Sequence, residues 1–192
     1  MFEHGYFKDS DISNYRDYTA KKYGDLCDSL VSLGMKQKHR IVDFGCATGA
    51  LVYEFKKRGF KNVVGTDVSW WAIKHGRQQY GLLPNELQPL NYYLLEAGCD
   101  WLLCLDVLEH ICDEELGYVL PIMKFGTLVA RIPVCANEGE VFVLPVSRND
   151  KTHIQCHTKS WWRERIGHKF CGYIWKSAIY DSDGVFCGLW RQ

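Results

Sequence analysis

Three aspartates occupy positions where a carboxylate could bind a ligand. Asp43, Asp67 and Asp106 each lie at or near the end of a short apolar run, and a turn with a glycine at each end, residues 45–49, follows the first run. Glycine permits positive φ angles and a close approach of the backbone to a ligand. A carboxylate at the end of a second strand, as at Asp67, can accept hydrogen bonds from both hydroxyls of a ribose. The pattern predicts a site for a ligand with an adenosyl group.

Asp43 indicates which adenosyl ligand fits. The dinucleotide fingerprint Gly-x-Gly-x-x-Gly contains no acidic residue, whereas here Asp43 stands two residues before Gly45. A carboxylate at that point would repel a pyrophosphate, but it would suit a cationic group such as the ammonium of S-adenosylmethionine, bound directly or through water. A strand–helix turn without any ligand is the alternative, and it leaves the coincidence of the turn with Asp67 unexplained.

These carboxylates can meet only if the apolar runs are strands of one sheet. The runs predict strands at residues 41–44, 62–67, 90–95, 101–106 and 127–132. Helical spacing of apolar residues predicts helices at residues 16–33, 50–58, 69–77, 116–123 and 160–169. Alternating strands and helices form a parallel sheet that is covered on both faces and binds ligands at the carboxyl ends of its strands.

The last part of the chain follows a different pattern. Residues 134–152 are expected to form a loop, and the runs 170–176 and 185–190 are expected to pair as a hairpin through the turn at residues 181–184. The expected fold class is therefore α/β, a doubly wound, mostly parallel sheet with a C-terminal antiparallel hairpin.

Three segments resemble motifs of one enzyme family. Residues 41–49, IVDFGCATG, resemble the cofactor motif of the class I S-adenosylmethionine-dependent methyltransferases, and residues 64–69, VGTDVS, resemble their second motif. Residues 99–111, CDWLLCLDVLEHI, resemble their fourth-strand motif in its "VLEH" form. The resemblance covers residues 39–133 and, more weakly, 150–154. It implies the Rossmann-like fold of the family, methyltransferase activity and S-adenosyl-L-methionine as the cofactor.

The resemblance also implies roles for single residues. The turn would lie under the methionine part of the cofactor, Asp67 would hold the ribose hydroxyls, and Val68 would pack on the adenine. The cofactor-binding residues implied in this way are Asp43, Gly45, Cys46, Ala47, Gly49, Asp67, Val68, Leu105 and Asp106. Ala47 departs from the family by replacing the middle glycine. The aspartate that often contacts the adenine amino group is also missing, and Glu96 is its nearest substitute.

Two histidines are candidate catalytic residues. Methyl transfer depends largely on alignment of donor and acceptor, and a hydroxyl acceptor also gains from a base with a pKa near neutrality, such as histidine. His110 follows Asp106 by four residues, so both side chains could face the pocket. His153 follows the fifth strand, in the region that faces the acceptor in this family. The alternative is that both histidines only brace the loops in which they lie.

A divalent metal ion is a further alternative. Methyltransferases of the ubiquinone pathway and of small-RNA 2′-O methylation hold such an ion with a similar acid-x-x-Glu-His cluster, which Asp106, Glu109, His110 and His153 resemble. These ligands would suit magnesium, manganese or zinc. The same letters occur in metal-free relatives, so no metal ligand is assigned from the sequence.

Charge limits the partners that the chain can attract. The 192 residues include 23 basic and 23 acidic side chains, so bulk attraction to nucleic acid or an anionic membrane is not expected. Residues 148–169 nevertheless hold six Lys or Arg against two acidic residues, with Trp161 and Trp162 among them. Basic and aromatic side chains can bind anionic sugars or single-stranded nucleic acid. A surface helix with its tryptophans on the core accounts for the same pattern.

The chain has the length of a single domain, residues 1–192. We divide it into an N-terminal helical or cap segment (1–38), a cofactor-binding core (39–133), and an acceptor-side loop with terminal strands (134–192). Tyr15 and Tyr18 are candidates for covering the cofactor. Trp70 and Trp71 could either pack in the core or form a wall of the adenine pocket.

The cellular location follows from weak signals. No membrane-spanning run and no signal peptide are visible, so a cytoplasmic protein is expected. The nine cysteines include no Cys-x-x-Cys pair, and reduced thiols are expected.

The leading hypothesis is methyl transfer to an oxygen or nitrogen of a small molecule or glycan. The alternatives are an RNA 2′-O-methyltransferase and a cofactor-binding partner subunit without catalysis.

Overall fold

The computed structural model describes Tyr6, Phe7 and residues 20–192. Tyr15 and Tyr18, and the start of the helix expected from residue 16, lie outside the described residues. The first helix of the described part, α1, spans Ala20–Val31 and buries Leu26 and Leu30.

A seven-stranded sheet forms the centre of the molecule. Its strands are β1 Ile41–Phe44, β2 Val63–Asp67, β3 Leu87–Pro89, β4 Cys99–Leu105, β5 Phe125–Pro133, β6 Lys169–Tyr173 and β9 Val185–Arg191. Their order across the sheet is β3-β2-β1-β4-β5-β9-β6. The strands from β1 to β5 are parallel, and β9 runs antiparallel to both of its neighbours. Strands β7 Trp175–Lys176 and β8 Ile179–Tyr180 form a separate hairpin.

Helices cover both faces of this sheet. They are α2 Ala50–Lys57, α3 Trp70–Tyr80, α4 Tyr93–Glu96, α5 Asp113–Ile122, α6 Pro145–Asn149 and α7 Lys159–Ile166, with a 3₁₀ helix at Leu108–His110. Ser69 begins α3 as expected, because its hydroxyl accepts a hydrogen bond from the Ala72 amide at 3.1 Å. Among the described residues, no helix combines the length and hydropathy needed to cross a membrane.

Two hydrophobic clusters lie on opposite sides of the sheet. Apolar residues of α5 and α7, including Leu116 and Trp162, pack on one face. Residues of α1, α2 and α3, including Leu30 and Phe55, pack on the other. Burial on both faces explains why the central strands are continuously apolar. The expected doubly wound, mostly parallel α/β fold is confirmed.

The predicted position of the third strand, residues 90–95, is wrong. The strand is Leu87–Pro89, which pairs with the end of β2, and residues 93–96 are helical instead of extended. The Asn91 side chain accepts a hydrogen bond from the Tyr93 amide at 3.1 Å and so begins this helical turn. Leu94 and Leu95 are adjacent and both buried, which one face of a helix allows and an alternating strand does not.

The C-terminal half contains two further differences. The expected loop at 134–152 includes the short helix α6. The expected pairing of the last two runs is confirmed in β6 and β9, but the first run is not one continuous strand, because the hairpin of β7 and β8 lies between them. In the turn before β9, the Asp181 carboxylate accepts a hydrogen bond from the Cys187 amide at 3.1 Å.

Several aromatic and basic side chains of residues 148–169 pack against the rest of the protein. Trp162 is fully buried, and Trp161 stacks on His157 with ring centroids 3.7 Å apart. The guanidinium of Arg163 lies 4.6 Å from the centroid of the Phe170 ring. The surface-helix interpretation of this stretch therefore agrees with the structure. All nine cysteines are free thiols.

Candidate active site

A cavity of about 560 Å³ opens at the carboxyl ends of the central strands. Most of the residues predicted from the sequence line it together: Asp43, Gly45, Cys46, Ala47, Asp67, Val68, Leu105, Asp106, His110 and His153. Gly49 does not line it. This glycine begins α2 with a φ of 74°, and a Cβ added there would lie 2.8 Å from the Leu87 side chain. Its role is therefore to close the turn against β3.

The Asp67 carboxylate ties the turn to the end of β2. One oxygen accepts a hydrogen bond from the Ala47 amide and the other from the Ser69 amide, each at 2.8 Å. A carboxylate offers about four acceptor positions, so each oxygen keeps one for another donor. The side chain can therefore hold the turn and still accept from two hydroxyls of a ligand. Ala47 itself has a φ of 49°, the conformation that the usual glycine would adopt more easily.

Gly45 and Cys46 line the cavity, and their backbone amides donate to the Thr66 carbonyl at 2.8 and 3.1 Å. Gly45 has a φ of 77°, and a Cβ at this position would collide with the Val107 side chain. The Cys46 side chain is buried, and burial raises the pKa of its thiol well above the ordinary value. A buried thiol with a raised pKa stays protonated and acts as a small packing group.

Asp43 is a buried acid in an acidic setting. Burial, and then the nearby Asp67 carboxylate, raise its pKa to about 7. Burial also raises the pKa of Asp67. Two buried carboxyl groups at the wall of one cavity favour a cationic ligand, because a positive charge stabilises both ionised forms. The environment of Asp43 is therefore compatible with the cationic ammonium group expected from the sequence.

Asp106 forms an ion pair that the sequence did not reveal. The Arg131 Nε donates to both carboxylate oxygens of Asp106 at 3.0 Å, and Nη2 adds a third contact. The Asp106 amide also donates to the Arg131 carbonyl at 2.8 Å, because β4 and β5 are neighbours. Asp106 has a φ of 56°, so the chain turns sharply into the cavity at this residue. Its carboxylate is paired with Arg131, and it is not among the side chains whose ligand atoms cluster at Glu109, His110 and His153.

Glu109, His110 and His153 form a compact cluster in the cavity wall. Their ligand atoms all lie within 4.8 Å of one another. The Nε2 atoms of both histidines are 3.9 Å from the Glu109 Oε1. Glu109 is fully buried, and neither of its carboxylate oxygens accepts a hydrogen bond from the described residues. A buried carboxylate without a donor is costly unless it is protonated or a cation is bound to it.

Burial sets the protonation of this cluster. It raises the pKa of Glu109 well above the ordinary value, with Asp106 as the second cause. Burial, and then the neighbouring His153, lower the pKa of His110 to about 4, and burial also lowers the pKa of His153. Both imidazoles are therefore neutral at pH 7. Neutral imidazoles and a carboxylate are suitable ligands for a divalent metal ion.

The segment after α6 holds this cluster in place. The amides of Ile154 and Gln155 donate to the Glu109 carbonyl at 2.9 and 3.0 Å. Two side chains of this region contribute to the cavity without having been singled out from the sequence. Asp150 and Ser147 both line it, and Ser147 accepts a hydrogen bond through its carbonyl from His153 Nδ1 at 3.0 Å. Asp150 lies in the 150–154 stretch that weakly resembles the family, whereas no local motif marks Ser147, whose importance depends on its contact with His153.

The N-terminal segment reaches the same cavity through two aromatic residues. The Tyr6 hydroxyl donates to the Asp150 carboxylate at 3.4 Å, and Phe7 stacks on Trp71 with ring centroids 5.3 Å apart. Trp71 itself does not line the cavity, and neither does Glu96. Leu90 and Tyr92 do line it. The sequence singled out Tyr15 and Tyr18 of the N-terminal segment as candidates for covering the cofactor, whereas among the described residues it is Tyr6 and Phe7 that line the cavity.

Comparisons with known proteins agree with this architecture. A family model described as a methyltransferase domain matches residues 15–172. No match was found among curated proteins.

Among solved structures, the PH0226 protein of Pyrococcus horikoshii OT3 has a TM-score of 0.68 at 13% identity, covering 100% of this chain and 99% of that one. A SAM-dependent methyltransferase from Archaeoglobus fulgidus has a TM-score of 0.62 at 16% identity, covering 92% and 96%. The methyltransferase domain of bacterial CtHen1-C has a TM-score of 0.62 at 17% identity, covering 90% and 98%. These likenesses show the shared fold. Together with the family match, which spans most of the chain, they mean that this protein belongs to the methyltransferase-domain family and is a class I S-adenosylmethionine-dependent methyltransferase.

Proposed function

We propose that this enzyme transfers the methyl group of S-adenosylmethionine to a hydroxyl oxygen of a small molecule or glycan. The cluster of Glu109, His110 and His153 is the observation that carries this proposal. An amine acceptor needs little beyond alignment with the donor, whereas a hydroxyl must lose a proton during transfer. A conspicuous group of proton-binding or metal-binding side chains beside the cavity therefore favours oxygen over nitrogen.

The cofactor fits the predicted residues as follows. Asp67 would accept hydrogen bonds from the ribose hydroxyls, and Asp43 would face the ammonium group, directly or through water. Val68, which is 57% exposed in the cavity wall, would cover one face of the adenine. Leu105 and Asp106 would lie beside the methionine end. The bound cofactor supplies an activated methyl group on a sulfonium.

The two histidines would orient the acceptor hydroxyl. A pKa of about 4 makes His110 a weak proton acceptor, so a role as the only base is poorly supported. The same neutral imidazole is well suited to hold a divalent ion together with Glu109 and His153. Such an ion would lower the pKa of a bound hydroxyl. Asp106 would not be among its ligands, because its carboxylate is paired with Arg131.

The acceptor side of the cavity would come from residues 134–192, as expected from the sequence. Leu144, Val146 and Ser147 line the cavity from the region of α6, and Tyr180 and Ser182 line it from the last hairpins. These residues are mostly apolar or uncharged. This lining supports an acceptor with an uncharged hydroxyl-bearing part.

The test is methyl transfer to matched hydroxyl and amine acceptors, measured as S-adenosylhomocysteine formed. Turnover with hydroxyl acceptors is expected to be lost after exhaustive chelation, restored by Mn²⁺ or Mg²⁺, and lost in His110→Ala and His153→Ala. His168→Ala is the matched control, because His168 packs on Phe125 away from the cavity. Transfer to amines alone would refute the proposal, and activity that survives chelation would remove the metal ion from it.

RNA 2′-O methylation is a second candidate, supported by the same cluster of possible metal ligands. It would require a basic face, yet Trp162 is buried and Arg163 packs on Phe170. An RNA substrate would show a Michaelis constant that rises steeply with salt concentration. A small-molecule or glycan acceptor without charge would show almost no such dependence.

A further inference from the structure

Asp150 is a buried carboxylate at the cavity wall with no role in the activity described above. It is 6% exposed, and both of its oxygens have partners. One oxygen accepts from the Thr152 amide at 3.0 Å and from the Thr152 hydroxyl at 2.6 Å. The other accepts from the Tyr6 hydroxyl at 3.4 Å. The contacts with Thr152 close a tight turn. Because the Thr152 hydroxyl donates its hydrogen to Asp150, the same hydroxyl can only accept a hydrogen bond from His110.

The hydroxyl of Thr152 has one hydrogen, and Asp150 receives it. The hydroxyl oxygen also lies 2.9 Å from His110 Nδ1, so towards this nitrogen it can act only as an acceptor. The carbonyl oxygen of Thr152 lies 3.1 Å from the same Nδ1 and can only accept as well. Both neighbours therefore require a hydrogen on Nδ1. In a neutral imidazole this leaves the lone pair on Nε2, the nitrogen that faces Glu109.

We propose that Asp150 is a positioning residue that, through Thr152, fixes His110 in the tautomer with Nδ1 protonated and Nε2 directed at Glu109. The turn also serves the second histidine, because the His153 amide donates to the Asp150 carbonyl at 3.1 Å. The backbone of the same turn thus fixes the start of His153, whose imidazole is held separately by its Nδ1 hydrogen bond to the Ser147 carbonyl at 3.0 Å. The tautomer itself does not depend on the proposed function. Only the role of Nε2 rests on it, in which this nitrogen binds a metal ion or accepts a hydrogen bond beside the hydroxyl that is methylated.

The tautomer can be read directly in the free enzyme. Protein labelled with ¹⁵N-histidine is studied by long-range ¹H–¹⁵N correlation, and the His110 signals are identified by their absence in His110→Gln. Wild type is expected to show Nδ1 protonated and Nε2 bare. Thr152→Val preserves the side-chain shape but removes one acceptor, so a mixture of tautomers is expected. Thr152→Ser, the control, is expected to retain the single tautomer.

Asp150→Ala is expected to give a mixture of tautomers because the turn around Thr152 loosens. Its methyl-transfer turnover is expected to fall by about 10- to 100-fold, the usual effect of removing a group that orients a ligating or catalytic histidine. Cofactor affinity, measured by calorimetry, is expected to be unchanged. Should Asp150→Ala fail to fold, Thr152→Val carries the test alone, since it alters one hydroxyl.

Two results would overturn the inference: a wild-type His110 protonated on Nε2, or a single unchanged tautomer in both Thr152→Val and Asp150→Ala. The measurement needs no cofactor, metal ion or acceptor. If the tautomer is as stated and hydroxyl methylation is not observed, the proposed function fails and the positioning role of Asp150 stands.

Discussion

Replacing Asp67 by alanine should weaken the binding of S-adenosylmethionine strongly, because the variant loses the carboxylate that would hold the ribose. Each carboxylate oxygen of Asp67 keeps one acceptor position, and the ribose offers two hydroxyls. A hydrogen bond to a charged group contributes about 1.5–3 kcal/mol, so losing two costs about 3–6 kcal/mol. Because 1.4 kcal/mol corresponds to a factor of ten, the dissociation constant is expected to rise roughly 10²- to 10⁴-fold.

Isothermal titration calorimetry with S-adenosylmethionine and S-adenosylhomocysteine measures this change. Asp67 also accepts from the Ala47 and Ser69 amides, so part of the loss could come from a distorted turn. A cofactor analogue without the 2′- and 3′-hydroxyls separates the two causes. Wild type should bind the analogue much more weakly than the natural ligand, whereas Asp67→Ala should bind both alike. Affinities within threefold of wild type for the variant would refute the assignment of the ribose to Asp67.

Three further changes test other parts of the site. Burial raises the pKa of Asp43 from 3.8 to about 7, so the folded protein binds this proton more tightly than the unfolded chain and stability falls as pH rises from about 4 to about 7. The free energy of unfolding, measured with urea at several pH values, should fall less between pH 4 and pH 7 in Asp43→Asn than in wild type, by up to about 4 kcal/mol. The same pH dependence of this free energy in both proteins would contradict the prediction. Mn²⁺ at about 100 times its dissociation constant should stabilise wild type by about 2.7 kcal/mol, raising Tm by roughly 5–11 °C, and should leave the Tm of Glu109→Gln unchanged. Equal shifts in both would place the ion elsewhere. Gly45→Ala, whose added Cβ would collide with Val107, should abolish cofactor binding in calorimetry while Gly81→Ala, with open space around it, binds normally.

The cofactor half of the site was predictable because its determinants are local. Asp43, Asp67 and Asp106 each lie at or within one residue of the end of a strand whose apolar run is visible in the sequence, and parallel strands bring their carboxyl ends to one edge. The turn at 45–49 is likewise continuous in sequence. The strand Leu87–Pro89 was missed because three residues with a proline carry too little periodicity to be recognised.

The other half of the site depends on contacts between distant residues. Arg131 is 25 positions from Asp106, and only the pairing of β4 with β5 brings them together. Thr152 meets His110 across 42 positions. Histidine, threonine and arginine are common in loops and strands for many reasons. Their types alone therefore do not predict these partners, although the resemblance to metal-dependent methyltransferases did group His110 with His153 as alternative metal ligands.

The order of strands in the sheet has a consequence for synthesis of the chain. Strand β9 lies between β5 and β6, so β6 has no place in the sheet until β9 has been made. Residues 134–184 separate β5 from β9, and at about 5–20 residues per second the ribosome needs roughly 3–10 s to add them. During that interval β5 presents an apolar edge that can pair with other nascent chains. The nascent chain is therefore exposed to aggregation through β5 during this interval, until β9 has been synthesised and pairs with it.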